Sequence, residues 1–241
     1  MGIDRPDLAP GDPGRVPVKP PTDRVRLRRL AERGHYDRAT IDAVLDAAMI
    51  GHVGWVLDGQ PFVTPTSIWR QGDRLYWHGS AGSRMIRETK RGARVCITAT
   101  LLDGLVLARS GTNHSMNYRS VMVLGGAVLV EDEAEVLAAM EAFTERLFPG
   151  RWAQLRPATR KEIRQTSVLW TPLDEASAKV RTGPSKDDPG DESWPVWAGV
   201  IPLATAVGTP EPDPRLPAGL VVPPYATRPG GMGAGAGGRT G

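Results

Sequence analysis

The chain has 241 residues, with 30 Lys plus Arg against 27 Asp plus Glu, a formal net charge of +3. That balance leaves no electrostatic footprint for a nucleic-acid partner. The lone cysteine, Cys96, excludes an internal disulfide framework and any zinc site built on several thiolates, and it agrees with a reducing compartment.

Gly and Pro are abundant, 28 and 22 residues, and where they sit decides how much of the chain folds. Residues 1–22 are Pro-rich and almost free of large apolar side chains, and from Thr209 the chain reads TPEPDPRLPAGLVVPPYATRPGGMGAGAGGRTG. Such stretches bury too little apolar surface to offset their ordering entropy. Residues 1–23 and 209–241 are therefore expected to be disordered, flanking one folded domain over 24–208. Within it, GPSKDDPGDE at 183–192 reads as a long loop. Asp4, Pro6 and Asp7 follow Met1 where a secretory signal would carry a basic patch and an apolar run. No apolar run reaches membrane-spanning length. The expectation is a soluble cytoplasmic protein.

Asp37 is placed to cap a helix over 38–50, whose Ile41, Val44, Leu45, Ala48 and Met49 follow the helical repeat. Strand-like segments come next. Residues 52–57 run into Asp58-Gly59, a strong hairpin turn, and 62–71 run into Gly72-Asp73, a second one. Residues 74–78 read as a third strand, with Leu75 and Trp77 on one face and Tyr76 and His78 on the other. Ser80 or Ser83 caps a helix over 84–91 that Gly92 ends. A strand over 93–102 is expected to turn at Asp103-Gly104 and return over 105–109. Residues 118–131 form a long strand in which Gly125-Gly126 marks a bulge or bend. Asp132 caps an amphipathic helix ending near Phe148, and 157–165 adds a shorter helical piece. Residues 167–171, 176–181 and 198–203 supply the last apolar segments. Hairpin-linked strands with peripheral helices and no βαβ alternation point to a mainly β antiparallel barrel.

Phosphate-loop and dinucleotide Gly-rich motifs are absent, and none of the four histidines forms an i, i+4 pair. The segment that carries chemistry is Tyr76-Trp77-His78-Gly79-Ser80-Ala81-Gly82-Ser83-Arg84. A strand ends there, a helix begins, and small residues, two hydroxyls and an arginine converge, which suits a phosphate. Read blandly, the same residues make an ordinary Ser-capped helix. Pro65 removes one N–H from the preceding strand, freeing backbone to address a flat heterocycle, or else marking an edge with a bulge. The run from His114 to Ser120 is either a polar lining or a hydrogen-bonded loop.

Taken in order, these segments resemble the FMN-binding split barrels of the pyridoxamine 5′-phosphate oxidase-like superfamily, nearest the branch with the nitroimidazole-resistance (Nim) proteins. The matching pieces are Gly51-His52-Val53-Gly54, Gly59-Gln60-Pro61-Phe62-Val63-Thr64-Pro65-Thr66, Leu75 to Ser80, Ser83-Arg84 and Val95-Cys96-Ile97-Thr98. His114 to Val121 and Trp197-Ala198-Gly199-Val200-Ile201-Pro202-Leu203 complete the set. The resemblance implies a six-stranded antiparallel split barrel and a homodimer with FMN at its interface. It implies that Pro65, Thr66 and Ser67 face the flavin edge through their backbone. His78, Gly79 and Ser80 would line the ribityl and phosphate region, Ser83 and Arg84 would hold the phosphate, and Trp197 would approach the flavin from its own or from the partner subunit. His78 becomes the catalytic candidate, a proton donor to the reduced product. The implied function is an FMN-dependent oxidoreductase acting on a small, nitroaromatic-type molecule, with no metal, nucleic acid or membrane. The chain lacks the C-terminal Arg-x-His-type motif of vitamin B6 oxidation, and Arg84 stands where many relatives have Lys. The alternatives are a haem- or deazaflavin-binding split barrel, with His114 or His52 as the haem ligand, and a flavin carrier or sensor without turnover.

Overall fold

A computed structural model describes residues 18–230. The expected disordered stretches therefore fall partly, over 1–17 and 231–241, outside the described residues. A short strand β1 (Gly34–His35) leads to helix α1 (Arg38–Ala47), whose start is fixed by the Asp37 carboxylate accepting the Thr40 N–H at 2.9 Å. Strands β2 (Ile50–Leu57) and β3 (Gln60–Gln71) follow, joined by Asp58-Gly59. Both turn residues have positive φ, 49° and 78°, the conformation that matches hairpin twist. Strand β4 (Arg74–Ser80) runs into helix α2 (Arg84–Thr89), and β5 (Arg94–Leu107) pairs along its length with β6 (Ser115–Gly126). Then come β7 (Val128–Leu129), α3 (Glu133–Leu147), α4 (Arg160–Gln165), β8 (Thr166–Pro172), β9 (Ala176–Arg181), β10 (Gly199–Pro202) and α5 (Pro224–Thr227). Among the described residues no helix is long and apolar enough to cross a membrane.

All ladders are antiparallel, and their path is β1-β9-β6-β5-β2-β3-β4-β8-β7, with β10 on the far half of β5. The sheet thus has ten strands rather than six, and its path is open. Only β2 to β6 and β8 reach seven residues; β1, β7 and β10 are too short to leave a periodic signal. β7 follows β6 after the single residue Ala127, so the chain and not a ladder links those two strands.

The expected hairpin at Asp103-Gly104 does not form. β5 passes straight through with an irregular register between Leu102 and Gly104. Asp103 is held by a two-pronged ion pair with Arg119 of β6, at 2.9 and 2.8 Å. Gly104 sits under β10, where a Cβ would lie 3.0 Å from the Ile201 carbonyl. The dipeptide lies within β5 where β10 pairs beside it, not in a turn.

Alternation along β4 divides the core. Leu75 and Trp77 point into the main cluster with Ile68, Ile97, Leu45 and Ile86. Tyr76 joins Trp69 and Val168 in a second cluster that Val136 and Ala139 of α3 cover. Gly125 and Gly126 let β6 bend against β8, and a Cβ on Gly125 would lie 2.5 Å from Thr171 Cγ2, whereas one on Gly126 meets nothing within 4 Å. Gly125→Ala is expected to destabilise the chain by about 1–3 kcal/mol through overpacking. Gly126→Ala should lie within about 0.5 kcal/mol of wild type in a urea titration.

The segment after 208 returns to α3. Tyr225 Oη donates to Gln154 Oε1 at 2.8 Å, the Tyr225 ring meets Phe148 with centroids 6.2 Å apart, and the Gly230 N–H donates to Leu147 O at 2.8 Å.

Candidate functional site

Two backbone segments converge where β3 and β4 separate. The β3–β4 ladder starts at Ile68 opposite Trp77, so from Pro65 to Ser67 the β4 side of β3 has no ladder. Pro65 and Ser67 pair across β2 with His52 and Ile50. Pro65 therefore does not break β3; it lies where the strand has only one neighbour, which is where a missing N–H is tolerated. Thr66 turns its side chain inward, and its hydroxyl donates to the His78 carbonyl at 2.9 Å. This bond fixes an open edge of backbone beside the end of β4.

The strand runs two residues past His78, so Gly79 and Ser80, expected in the turn from Gly79 to Gly82, belong to β4, and the tight turn spans 81–83. The Ser83 N–H donates to Ser80 O at 2.9 Å, and the Ala81 N–H to Gln165 O at 2.9 Å. Ser83 caps α2, its hydroxyl accepting the Ile86 N–H at 3.3 Å. Gly79 is small for packing: a Cβ there would lie 3.1 Å from Ile86. Arg84 leaves the turn and lays its guanidinium over Phe62, 4.6 Å from the ring centroid, and 6.0 Å from that of Trp55. Phe62 and Trp55 stack at 4.7 Å, and the Trp55 indole N–H donates to Thr64 Oγ1 at 3.2 Å. Arg84 is exposed and reaches no carboxylate among the described residues. An arginine fork stacked on an aromatic ring beside a Ser-capped turn has the charge and the donor geometry that suit an anion.

The Trp55–Phe62 support went unremarked in the sequence, although the two-residue turn at 58–59 dictates it. Counting outward from that turn makes Leu57 face Gln60, Val56 face Pro61 and Trp55 face Phe62.

His78 and Trp197 are placed elsewhere. The main chain of His78 borders the turn, but its ring points to the other face of the sheet, with centroids 5.8 Å from Trp69 and 5.4 Å from Phe143. Its Nδ1 is buried without a hydrogen-bond partner among the described residues, and burial pushes the imidazole below its usual range. The neutral ring therefore stabilises the fold above about pH 6.5, and that contribution is lost as pH falls through the depressed value. Wild type is expected to lose thermal stability between pH 7 and 5 more steeply than His78→Phe, and equal slopes would contradict this assignment. Trp197 is 65% exposed and packs on Gly199, whose register partner is Leu107 at the opposite end of β5 from the strand's pairing with β2. It does not reach the turn of its own chain.

The outer face of β2 and β3 is apolar and open, with Ile50, Val56 and Val63 at 49%, 58% and 67% exposure around an exposed His52. His114 is also exposed, its Nδ1 2.9 Å from Ser110 O. His35 is buried in β1. No group of three or more His, Cys, Asp or Glu among the described residues is arranged to hold a metal ion. The loop over 183–192 is anchored at Asp187, which accepts the Arg109 N–H at 3.0 Å and pairs with its guanidinium at 2.7 Å. Those bonds hold the Asp187 carboxyl below its usual range.

A family model described as pyridoxamine 5′-phosphate oxidase matches residues 37–180. Among solved structures, the flavocytochrome Anf3 from Azotobacter vinelandii is 46% identical with a TM-score of 0.83, over 87% of this chain and 97% of its own. The FAD and heme binding protein from Mycobacterium smegmatis is 37% identical with a TM-score of 0.76, over 80% and 95%. A proposed 5-nitroimidazole antibiotic resistance protein from Bacteroides thetaiotaomicron is 26% identical with a TM-score of 0.50, over 61% and 86%. No curated protein matches the chain.

Proposed function

The chain belongs to the pyridoxamine 5′-phosphate oxidase family, and on that footing we propose that it is a redox protein that binds a flavin and a haem. The observation that carries the flavin half is the unpaired Arg84, stacked on Phe62 beside the Ser80–Ser83 turn. Arg84 and Ser83 hold a flavin 5′-phosphate, and FMN is the smallest flavin that offers one. The open backbone edge from Pro65 to Ser67 offers groups to the rim of the ring system, and Gly79 and Ser80 flank the chain between ring and phosphate. The flavin supplies hydride or electron transfer to a small acceptor. A nitroaromatic acceptor is the class that the likeness to the Bacteroides protein suggests.

The haem half rests on similarity to the two flavin-and-haem proteins and on the fit of the histidines. A haem ligand needs a bare neutral imidazole nitrogen with room and apolar walls. The ring of His78 is closed in by Trp69 and Phe143. His52 has room and apolar neighbours in Ile50 and Val63, and His114 presents Nε2 while Nδ1 faces a carbonyl. The open β2–β3 face is also where a second copy of the chain docks, enclosing the cofactors; Trp197 is the partner-facing aromatic of that arrangement.

Size-exclusion chromatography of the purified full chain, monitored in the flavin and haem bands, tests this reading. A species of twice the chain mass carrying both chromophores is the expected result. The haem band should be lost in either His52→Ala or His114→Ala, with the flavin retained. A colourless monomer would overturn the reading.

A further inference from the structure

A cavity of about 370 Å³ lies between the 183–192 loop and the start of β10, at the opposite end of β5 from its ladder with β2. Small-molecule sites occupy roughly 300–1,000 Å³. The fold holds the walls in place. Arg181, only 5% exposed, donates from its guanidinium to Gly183 O at 3.3 Å and to Pro184 O at 3.0 Å, and Asn117 Nδ2 donates to Gly183 O at 3.1 Å. Farther along the loop, Asp187 accepts the Arg109 N–H, the Arg109 guanidinium and the Ser185 hydroxyl at 3.0, 2.7 and 3.1 Å. Gly199 closes another side through its pairing with Leu107, with the Trp197 ring packed on it.

Three charged groups at this cavity are uncommitted. Lys186 and Glu192 both line it, yet neither side chain pairs with the other or with any further group among the described residues. Arg109 gives Asp187 its backbone N–H and Nη1 and leaves Nη2 without an acceptor among the described residues. Asp187 already accepts three hydrogen bonds, so Glu192 is the acid left for a ligand cation. Arg109 and Lys186 balance Asp187 and Glu192, so the lining is neutral as a whole. An anion alone would meet the Glu192 charge, and a cation alone would meet the Lys186 charge. A small molecule carrying both signs satisfies both.

We propose that this cavity binds a free amino acid, whose carboxylate is taken by Arg109 Nη2 and Lys186 and whose ammonium is taken by Glu192. Pro184, Ala198 and Gly199 leave uncharged wall for its side chain. Bonds between ionised partners are the strong ones, and here every ligand charge finds one. The proposal does not rest on the flavin reading, because none of the lining residues belongs to the open β3 edge or to the turn that precedes α2.

Calorimetric titration of the purified full chain with each standard L-amino acid in turn is the test. At least one should bind with a Kd at or below about 1 mM. The amine lacking its carboxylate and the acid lacking its ammonium should each bind at least about tenfold more weakly. Glu192→Gln and Lys186→Gln should each weaken the amino acid by about tenfold. Both side chains are exposed and unpaired, so a thermal midpoint matching wild type shows that the variants fold. Heat from no amino acid, equal affinity for the amine or the acid, or affinities within about twofold of wild type in both variants would overturn the site.

Discussion

Replacing Arg84 by Ala is expected to weaken flavin binding by about ten- to a hundredfold with little change in thermal stability. The guanidinium is exposed and its contacts are the Phe62 and Trp55 rings, so its removal leaves no buried group unsatisfied. What is lost is a charge-assisted contact to phosphate, of about 1.5–3 kcal/mol. Arg84→Lys should recover part of the affinity, because an ammonium supplies the charge without the two-pronged geometry. Riboflavin, which lacks the phosphate, should bind wild type and Arg84→Ala alike. Equilibrium titration of each variant with FMN and riboflavin checks both statements, and equal losses for the two ligands would show that Arg84 acts through the fold.

Arg146→Met is expected to lower unfolding stability by about 2–4 kcal/mol. Arg146 ends α3, but its side chain closes a neighbouring helix. Its guanidinium donates to the carbonyls of Leu45, Asp46 and Ala48 at 3.2, 2.7 and 2.7 Å, and to Ile68 O at 2.7 Å. The first three belong to the C-terminal end of α1, whose last carbonyls have no partner within the helix. The fourth lies at the start of the β3–β4 ladder, next to the open edge of backbone. Burial, together with the nearby Arg70 charge, pushes the guanidinium below its usual range while Asp46 works against that shift. Methionine keeps the apolar stem and removes every donor. A urea titration giving a difference below about 0.5 kcal/mol would show that water satisfies these carbonyls equally well.

Both residues bear on how far the amino-acid sequence discloses the protein. Local rules carried most of the elements. Asp37, Ser83 and Asp132 cap helices where their side chains suggest, and Asp58-Gly59 makes its hairpin. The alternation along β4 puts His78 on the Tyr76 face, which is where its ring lies; the resemblance to the FMN-binding proteins placed that ring beside the flavin. Asp103-Gly104 has the same local signature as a turn, yet a long-range ion pair to Arg119 and the approach of β10 decide its conformation. Arg146 reads as an ordinary last-turn cation, since nothing near it in the chain reveals that α1 ends against it. The same limit applies to Gln165, whose carbonyl meets the Ala81 N–H of the turn only because β4 and β8 pair. What the sequence left out is the information that strand pairing creates between distant segments.

The account stands or falls on the cofactors, and the visible absorption spectrum of the full chain as purified, before and after reduction by dithionite, tests them most directly. Paired flavin bands in the near-ultraviolet and blue that bleach on reduction, together with a Soret band that shifts, are the result predicted here. A spectrum with no flavin bands, unchanged after incubation with FMN or FAD, would contradict it.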